Sequence, residues 1–329
     1  MKDKRIVLKG TNKRDAVGFL LFVFLLPYVC ACLWGHVGVE ADVLRRDRQQ
    51  EETEENVECP VEIAMRWGVW EIPMEEYLTY KLEAVMPDTY EPEALKAQAV
   101  LLRTELMRVL QEQGDAQLQV PGDGLERWYE TNKTMEEELG SYRQAVAETD
   151  GLYLCYQGDP IQASYFKISN GQTRDAAKVW QTQKFPYLTS ISCVQDKAAQ
   201  DYGSEVTLSK ANCLHDIQTK IGEQYSPEEL WESMEFTYDA AGYVTNVSFY
   251  AEGEEVGKMD GEAFRYLFAL PSASFEMEQT DTLVTFHVTG VGHGFGMSQY
   301  GANCKALNGE TYDEILKDFF PGTELAKIE

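Results

Sequence analysis

The residues best suited to chemistry fall in two short polar loops. Residues 292–302 read GHGFGMSQYGA, in which Gly292, Gly294, Gly296 and Gly301 are interleaved with His293, Phe295, Ser298, Gln299 and Tyr300. Glycine tolerates positive φ and close backbone approach, so such a loop can present hydrogen-bonding and stacking side chains from a bare, tight turn. A polar, ring-shaped ligand fits that description. The competing interpretation is a plain turn between a strand at 283–288 and a following helix, with His293 hydrogen-bonded in place. The second loop, Ser169–Asn170–Gly171–Gln172–Thr173, is another small polar loop that follows a strand-like run. Tyr165 and Trp180 offer rings, although core packing is the simpler role for both.

The elements that must hold these loops are readable in part. Alternation over 61–69 predicts a strand, and Pro73 opens a helix that runs to about Val85 and stops at Met86–Pro87. A second helix is predicted over 92–113, with Leu95, Ala99, Leu102 and Leu106 as its apolar stripe. Residues 117–128, with Pro121, Gly122 and Gly124, read as a loop. A helix is expected over 134–149, weakened at Gly140. Strands at 152–156 and 161–166 flank a turn at 157–160. Further helices are expected at 226–233, 260–267 and 312–319, and strands over 236–250 and 283–288. The fold class is therefore α+β, with mixed helices and mostly antiparallel strands around one cleft, preceded by a single N-terminal transmembrane helix.

The chain has 329 residues and a formal charge of -26. That charge excludes a nucleic-acid partner, since phosphate neutralisation needs a basic face. It equally disfavours docking on an anionic membrane surface. Residues 16–37 are apolar over a length that spans a hydrocarbon core of about 30 Å. Lys2, Lys4, Arg5, Lys9, Lys13 and Arg14 precede them, so the N-terminus is expected in the cytoplasm and the rest outside. The competing reading is a cleaved signal peptide. The organisation expected is a basic cytoplasmic tail (1–15), a membrane anchor (16–37), a charged stalk (38–58) and an extracytoplasmic domain (59–329), with the protein at the cell membrane. Of the external cysteines, Cys193 and Cys213 form a candidate disulfide, with buried free thiols as the alternative.

Three segments together resemble the stage II sporulation protein D family. Residues 87–104, reading PDTYEPEALKAQAVLLRT, look like its "MP…EALKAQAVAART" helix; Ser169–Thr173 look like its "SNGxT" loop; and residues 292–302 are similar to its "GHGxGMSQYGA" signature. The similarity runs over about 61–320. The resemblance implies a cell-wall role: sporulation members are anchored lytic transglycosylases acting on peptide-free glycan strands during engulfment, and others enhance wall amidases. The expected partners are peptidoglycan glycan strands, with a cell-wall amidase or engulfment proteins beside them and the membrane through the N-terminal helix. The expected substrate-binding residues are Ser169, Asn170, Gly171, Thr173, His293, Gly294, Gly296, Ser298, Gln299 and Tyr300.

Non-hydrolytic cleavage of a glycosidic bond needs a carboxyl that first donates a proton to the leaving oxygen and then acts as base. The resemblance places that glutamate directly before Met-Pro, where this chain has Val85. Glu83 and Glu93 are the candidate displaced acids. Glu83 lies about 200° around the helix from Val85, and Glu93 suits a helix N-terminus. Family members often carry a zinc site of His and Cys after the second helix; residues 111–150 contain neither, so no metal and no cofactor are expected. Glycan binding without the usual acid, an active transglycosylase with a displaced carboxylate, and an amidase enhancer are the functions left in contention.

Overall fold

The computed structural model describes residues 60–65, 68–113, 118–121 and 139–328. The expected tail, anchor and stalk lie outside the described residues, as do Cys59 and residues 122–138. Among the described residues no helix is long and apolar enough to cross a membrane. Glu58–Glu329 form one compact unit.

The chain opens with β1 (Pro60–Met65) and β2 (Gly68–Pro73), paired antiparallel with Met65 opposite Gly68. The alternating stretch expected as one strand thus folds back on itself. Helix α1 (Met74–Val85) starts directly after Pro73, with Glu75 and Glu76 in its first turn, where acidic side chains meet the positive end of the helix dipole. It ends at Met86, whose backbone is extended as expected before a proline. Helix α2 (Pro92–Gln113) has the bounds its sequence predicts. Strand β3 (Leu118–Pro121) then lies parallel to β1, where a loop was expected. Pro121 occupies its last position, and a proline at a strand end removes little from the ladder.

Helix α3 (Gly140–Glu148) begins at the glycine expected to weaken it. Strands β4 (Leu152–Tyr156) and β5 (Asp159–Pro160) are joined by Gln157 and Gly158, both at positive φ, so a two-residue hairpin turn replaces the longer one expected. Next come β6 (Tyr165–Phe166), α4 (Ala176–Val179), a 3-10 turn at Val194–Ala198, β7 (Gly203–Ser209) and α5 (Lys210–Ile221). Helix α6 (Pro227–Glu232) is capped by the Ser226 hydroxyl. The strand-like run at 236–250 is two strands, β8 (Glu235–Tyr238) and β9 (Val244–Ala251), followed by β10 (Glu254–Asp260) and by α7 (Gly261–Leu267) with Asp260 as its cap. The chain finishes through β11 (Phe275–Gln279), β12 (Leu283–Thr289), β13 (Met297–Ser298), α8 (Gln299–Leu307), α9 (Tyr312–Phe319) and β14 (Glu324–Lys327).

The class is α+β. Strand pairing is antiparallel in the sheets β10-β9-β8, β11-β12-β7 and β14-β4-β5, while β1 with β3 and β6 with β13 run parallel. Among the described residues there are, beside a small cluster of Ala241, Tyr243 and Ala273, two large apolar cores. The larger gathers Leu78, Leu82, Leu95, Leu102, Leu316 and Phe319 from α1, α2 and α9. The smaller is aromatic, with Phe264 stacked on Phe275 at 5.6 Å and Phe268 on Phe286 at 5.6 Å. Cys193 lies in the larger core and Cys213 in the smaller; both are free thiols, so the candidate disulfide is not formed. Burial pushes the Cys193 thiol up to about 12 and the Cys213 thiol up to about 11.

Helix α2 is the axis of the larger core, and a fully buried arginine ties its neighbours to it. Arg103 donates through Nε and Nη2 to the two carboxylate oxygens of Glu75 on α1, at 3.0 and 2.5 Å. Nη2 also donates to the Val146 carbonyl of α3, and Nη1 donates to the Leu152 carbonyl of β4 and to Thr149 Oγ1. All five guanidinium N–H groups are thus spent, which is the condition for burying such a charge. A lysine has neither the planar fork nor enough donors for these partners. Arg103→Lys is expected to lower unfolding stability by about 3 kcal/mol in urea titration, the scale of breaking a buried ion pair.

Candidate functional site

The glycine-bearing loop, the Ser169–Thr173 loop and helix α2 meet in one place, although they are far apart in sequence. Asp196, in the 3-10 turn, is fully buried beneath both loops. Its Oδ2 accepts the Ser169 backbone N–H at 2.7 Å and the Ser298 hydroxyl at 2.6 Å. Ser298 is also the N-cap of α8, its hydroxyl oxygen accepting the Gly301 N–H at 3.1 Å. Ser169 Oγ accepts the Gly171 N–H at 3.1 Å. Gln299 donates to Gln98 of α2 at 3.1 Å inside the protein, which joins the third segment to the other two. A backbone bridge between Ile168 and Val291 and the Tyr300 N–H to Lys167 carbonyl bond complete the seam.

Arg174, just past the second loop, fixes the other end of the glycine loop. Its N–H donates to the Gly294 carbonyl at 2.8 Å, and its guanidinium to the His293 carbonyl at 3.2 Å and to Asp239 Oδ2 at 2.6 Å. The guanidinium lies 4.5 Å from the Phe295 ring centre and 5.0 Å from that of Tyr243. Gly294 and Gly296 both sit at positive φ, and a Cβ on Gly296 would fall 2.0 Å from the Ser164 carbonyl oxygen. Only glycine fits there.

The expected binding residues divide into two groups. Ser169, Thr173, Ser298 and Gln299 are buried, and their polar atoms are engaged inside the protein; Thr173 Oγ1 bonds the Thr189 carbonyl and the Ile191 N–H. Gly294 and Gly296 are buried as well. Asn170, Gly171, His293 and Tyr300 are half-exposed. Asn170 Nδ2 donates to the Ala241 carbonyl and to Ser274 Oγ, while its Oδ1 has no protein partner. His293 Nδ1 accepts the Phe295 N–H at 3.1 Å. Burial holds its imidazole below the usual range against the pull of the Glu262 carboxylate, so the ring is neutral near pH 7. Trp180, 44% exposed, stacks on Phe295 with 4.4 Å between ring centres and forms an aromatic shelf beside His293.

No carboxyl stands directly before Met86–Pro87: Val85, the last residue of α1, packs against the larger core. Glu83 is half-exposed on α1; burial, then Asp88 and Glu83, pushes the Tyr142 phenol up to about 12, and its hydroxyl donates to the Met86 carbonyl. Glu93 has both oxygens committed, Oε1 to Lys96 at 2.7 Å and Oε2 to the Tyr312 N–H at the start of α9 at 2.8 Å. The Val85 junction adjoins the glycine loop through the 86–91 turn, where the Glu91 N–H bonds Asn303 and burial, then Tyr300, Cys304 and Asp196, push the Tyr90 phenol up to about 12.

Two cavities stand out among the described residues. One of about 800 Å³ lies between α2, the β4–β5 hairpin and residues 183–187, and one of about 740 Å³ lies against β7, β11 and β12. Neither is lined by the two loops, although Ser274 and Gly242 at the second touch Asn170. His287 stands there between Glu205 at 3.2 Å and Glu278 at 3.6 Å. Among the described residues no three His, Cys, Asp or Glu side chains are grouped to hold a metal ion.

The sequence reading missed Asp196, Arg174 and the pairing of Gln98. Asp196 lies in an irregular stretch with no periodicity to flag it. Gln98 was detectable as a polar residue amid the apolar stripe of α2.

Taken together, the site belongs to an α+β protein in which two glycine-containing loops and a central helix are locked into one polar unit. Comparisons with known proteins agree on what that unit is. A family model described as Stage II sporulation protein matches residues 66–156. Stage II sporulation protein D of Bacillus subtilis (strain 168) is 32% identical over 292 residues, covering 83% of this chain and 80% of that protein. Its counterpart from Bacillus amyloliquefaciens is 31% identical over 310 residues, 88% and 85% of the two chains. A Bacillus subtilis protein named Amidase enhancer is 26% identical over 297 residues, 73% of this chain but 39% of that one. The chain belongs to the stage II sporulation protein D family.

Burial raises the Asp196 carboxyl above its ordinary 3.8, with the bonds from Ser298 and Ser169 pulling back. A raised folded value means that the folded chain holds the proton more tightly than the unfolded one. Its contribution to stability is complete below the ordinary value and is lost as pH rises through the folded value. Asp196→Asn keeps an acceptor for Ser169 and Ser298 without that titration, so its stability relative to wild type should improve as pH rises from 4 to 7. Asp196→Ala leaves both donors unpaired and should cost about 3 kcal/mol at pH 4, a cost that shrinks as pH rises and the wild type loses the same contribution. Chemical denaturation across that pH range checks both.

Proposed function

We propose that this chain binds peptide-free glycan strands of the cell wall and takes part in sporulation-linked wall remodelling, without the carboxyl that family resemblance assigns to proton transfer. The observation that carries this reading is the exposed Trp180 ring packed on Phe295 beside half-exposed His293, with half-exposed Asn170 and Tyr300 on the same two joined loops. Sugar rings have apolar C–H faces and polar hydroxyl rims, and an aromatic shelf beside an imidazole complements both. The neutral imidazole suits an uncharged, hydroxyl-rich ligand.

Val85 supports binding over cleavage, since an isopropyl group donates no proton. The committed oxygens of Glu93 weaken its case as a displaced acid. The relative named Amidase enhancer supports a wall amidase as the working partner. The apolar run at 16–37 and the basic residues before it support an anchored chain with the domain on the outer side of the membrane, where the wall lies.

The Glu58–Glu329 unit should sediment with amidase-treated wall and release no anhydro-sugar products. Trp180→Ala should weaken retention by about tenfold, the loss of one stacking contact and its buried area. Val85→Glu should create product release. Abundant anhydro products from the wild-type chain would sink the binding-only reading.

A further inference from the structure

The aromatic shelf at the loops does not end at Trp180. Trp180 meets Phe185 edge-on at 5.6 Å, Phe185 meets Tyr187 at 6.4 Å, and Tyr187 meets Tyr156 at 5.6 Å. The rings lead from the candidate site straight into the cavity of about 800 Å³ between α2, the β4–β5 hairpin and residues 183–187. Tyr187 is buried and supports the others, its hydroxyl accepting the Gln162 N–H at 2.8 Å. Phe185 and Tyr156 keep half-exposed faces.

The walls of this cavity carry amides and charges. Gln157, Gln162 and Gln183 line it, together with the carboxylates of Glu112, held by Arg108, and Asp159, held by Gln111. Arg108 lines it too, but its guanidinium is already bonded to Glu105 and Glu112. Lys184 is different: it is exposed, and among the described residues its ammonium has no partner. Among the charged side chains lining this cavity, Lys184 is the one for which the described residues supply no partner.

We infer that this cavity is a second sugar-binding region that takes the glycan strand onward from the loops, and that Lys184 receives a carboxylate carried by the sugar ring. Rings in sequence stack successive sugars, glutamine amides bond hydroxyl and N-acetyl groups, and the free ammonium pairs with an acidic substituent. The lactyl ether of a peptide-free muramic acid unit is such a substituent; chitin has the same kind of backbone and lacks it. This inference rests on the glycan reading above and extends it from one contact point to a track.

The test is calorimetric titration of the solubilised full-length chain with peptide-free wall disaccharide and octasaccharide, and with chitin oligosaccharides of the same lengths. The wild type should bind the wall octasaccharide about tenfold more tightly than the disaccharide. Phe185→Ala should remove that gain and leave disaccharide affinity unchanged. Lys184→Gln should weaken the wall octasaccharide about threefold, the scale of an exposed ion pair, and leave chitin binding as it was. Lys184→Glu, at an exposed position where folding is not at stake, should weaken it further. Octasaccharide binding no tighter than disaccharide binding overturns the second region while leaving the loop site standing. A Lys184→Gln chain that still prefers the wall sugar over chitin to the full extent overturns the carboxylate assignment. No binding of any sugar overturns this inference and the glycan reading together.

Discussion

One buried carboxyl group holds the candidate site together. Asp196 accepts from the backbone of one loop and from the helix-capping hydroxyl of the other, so neither loop can shift without unpairing a group that water cannot reach. Buried donors left without acceptors are costly, and that cost makes the seam rigid. The same logic runs through the rest of the unit. Arg174 pins the far end of the glycine loop, the Gln98–Gln299 pair fastens that loop to α2, and Arg103 fastens α2 to α1, α3 and β4. Polar side chains placed inside apolar surroundings give this protein its register.

That arrangement changes the meaning of the signature residues. A serine, threonine or glutamine in a glycine-rich loop invites a ligand-binding role, yet Ser169, Thr173, Ser298 and Gln299 face inward and bond to the protein itself. Asn170, His293, Tyr300 and the neighbouring Trp180 carry the exposed chemistry. A motif can therefore be a statement about how two loops are welded and only secondarily about what they touch. Val85 fits the same picture: its side chain has joined the core at a junction where the fold needs a helix end and the resemblance supplies an acid.

Much of the frame was legible because local physics was strong there. Helix α2 was bounded by its opening proline and its apolar stripe, and α9 by its sharply amphipathic run and the Phe320–Pro321–Gly322 stop. The elements that escaped were weakly patterned. Strand β7 alternates exposed with half-exposed residues and buries none fully, and α5 commits only Cys213 and Ile217 to the core. Long-range pairing was invisible in principle: nothing near Asp196 announces Ser298, and no property of β3 announces β1. The loops were found by their composition; what lies beneath them was not.

The closure of α2 by the end of the chain has a kinetic consequence. Gln98 waits for Gln299, 201 residues later, Glu91 for Asn303, 212 later, and Glu93 for Tyr312, 219 later. Contacts that distant slow folding, because the intervening loop must close before they reward it. During synthesis α2 therefore emerges long before its cover, with an arginine and an uncapped apolar face waiting inside an unfinished nest. Such a chain is most vulnerable to proteases and to mispairing in the interval before its last helices arrive, and a stop codon anywhere ahead of α8 would leave it permanently in that state.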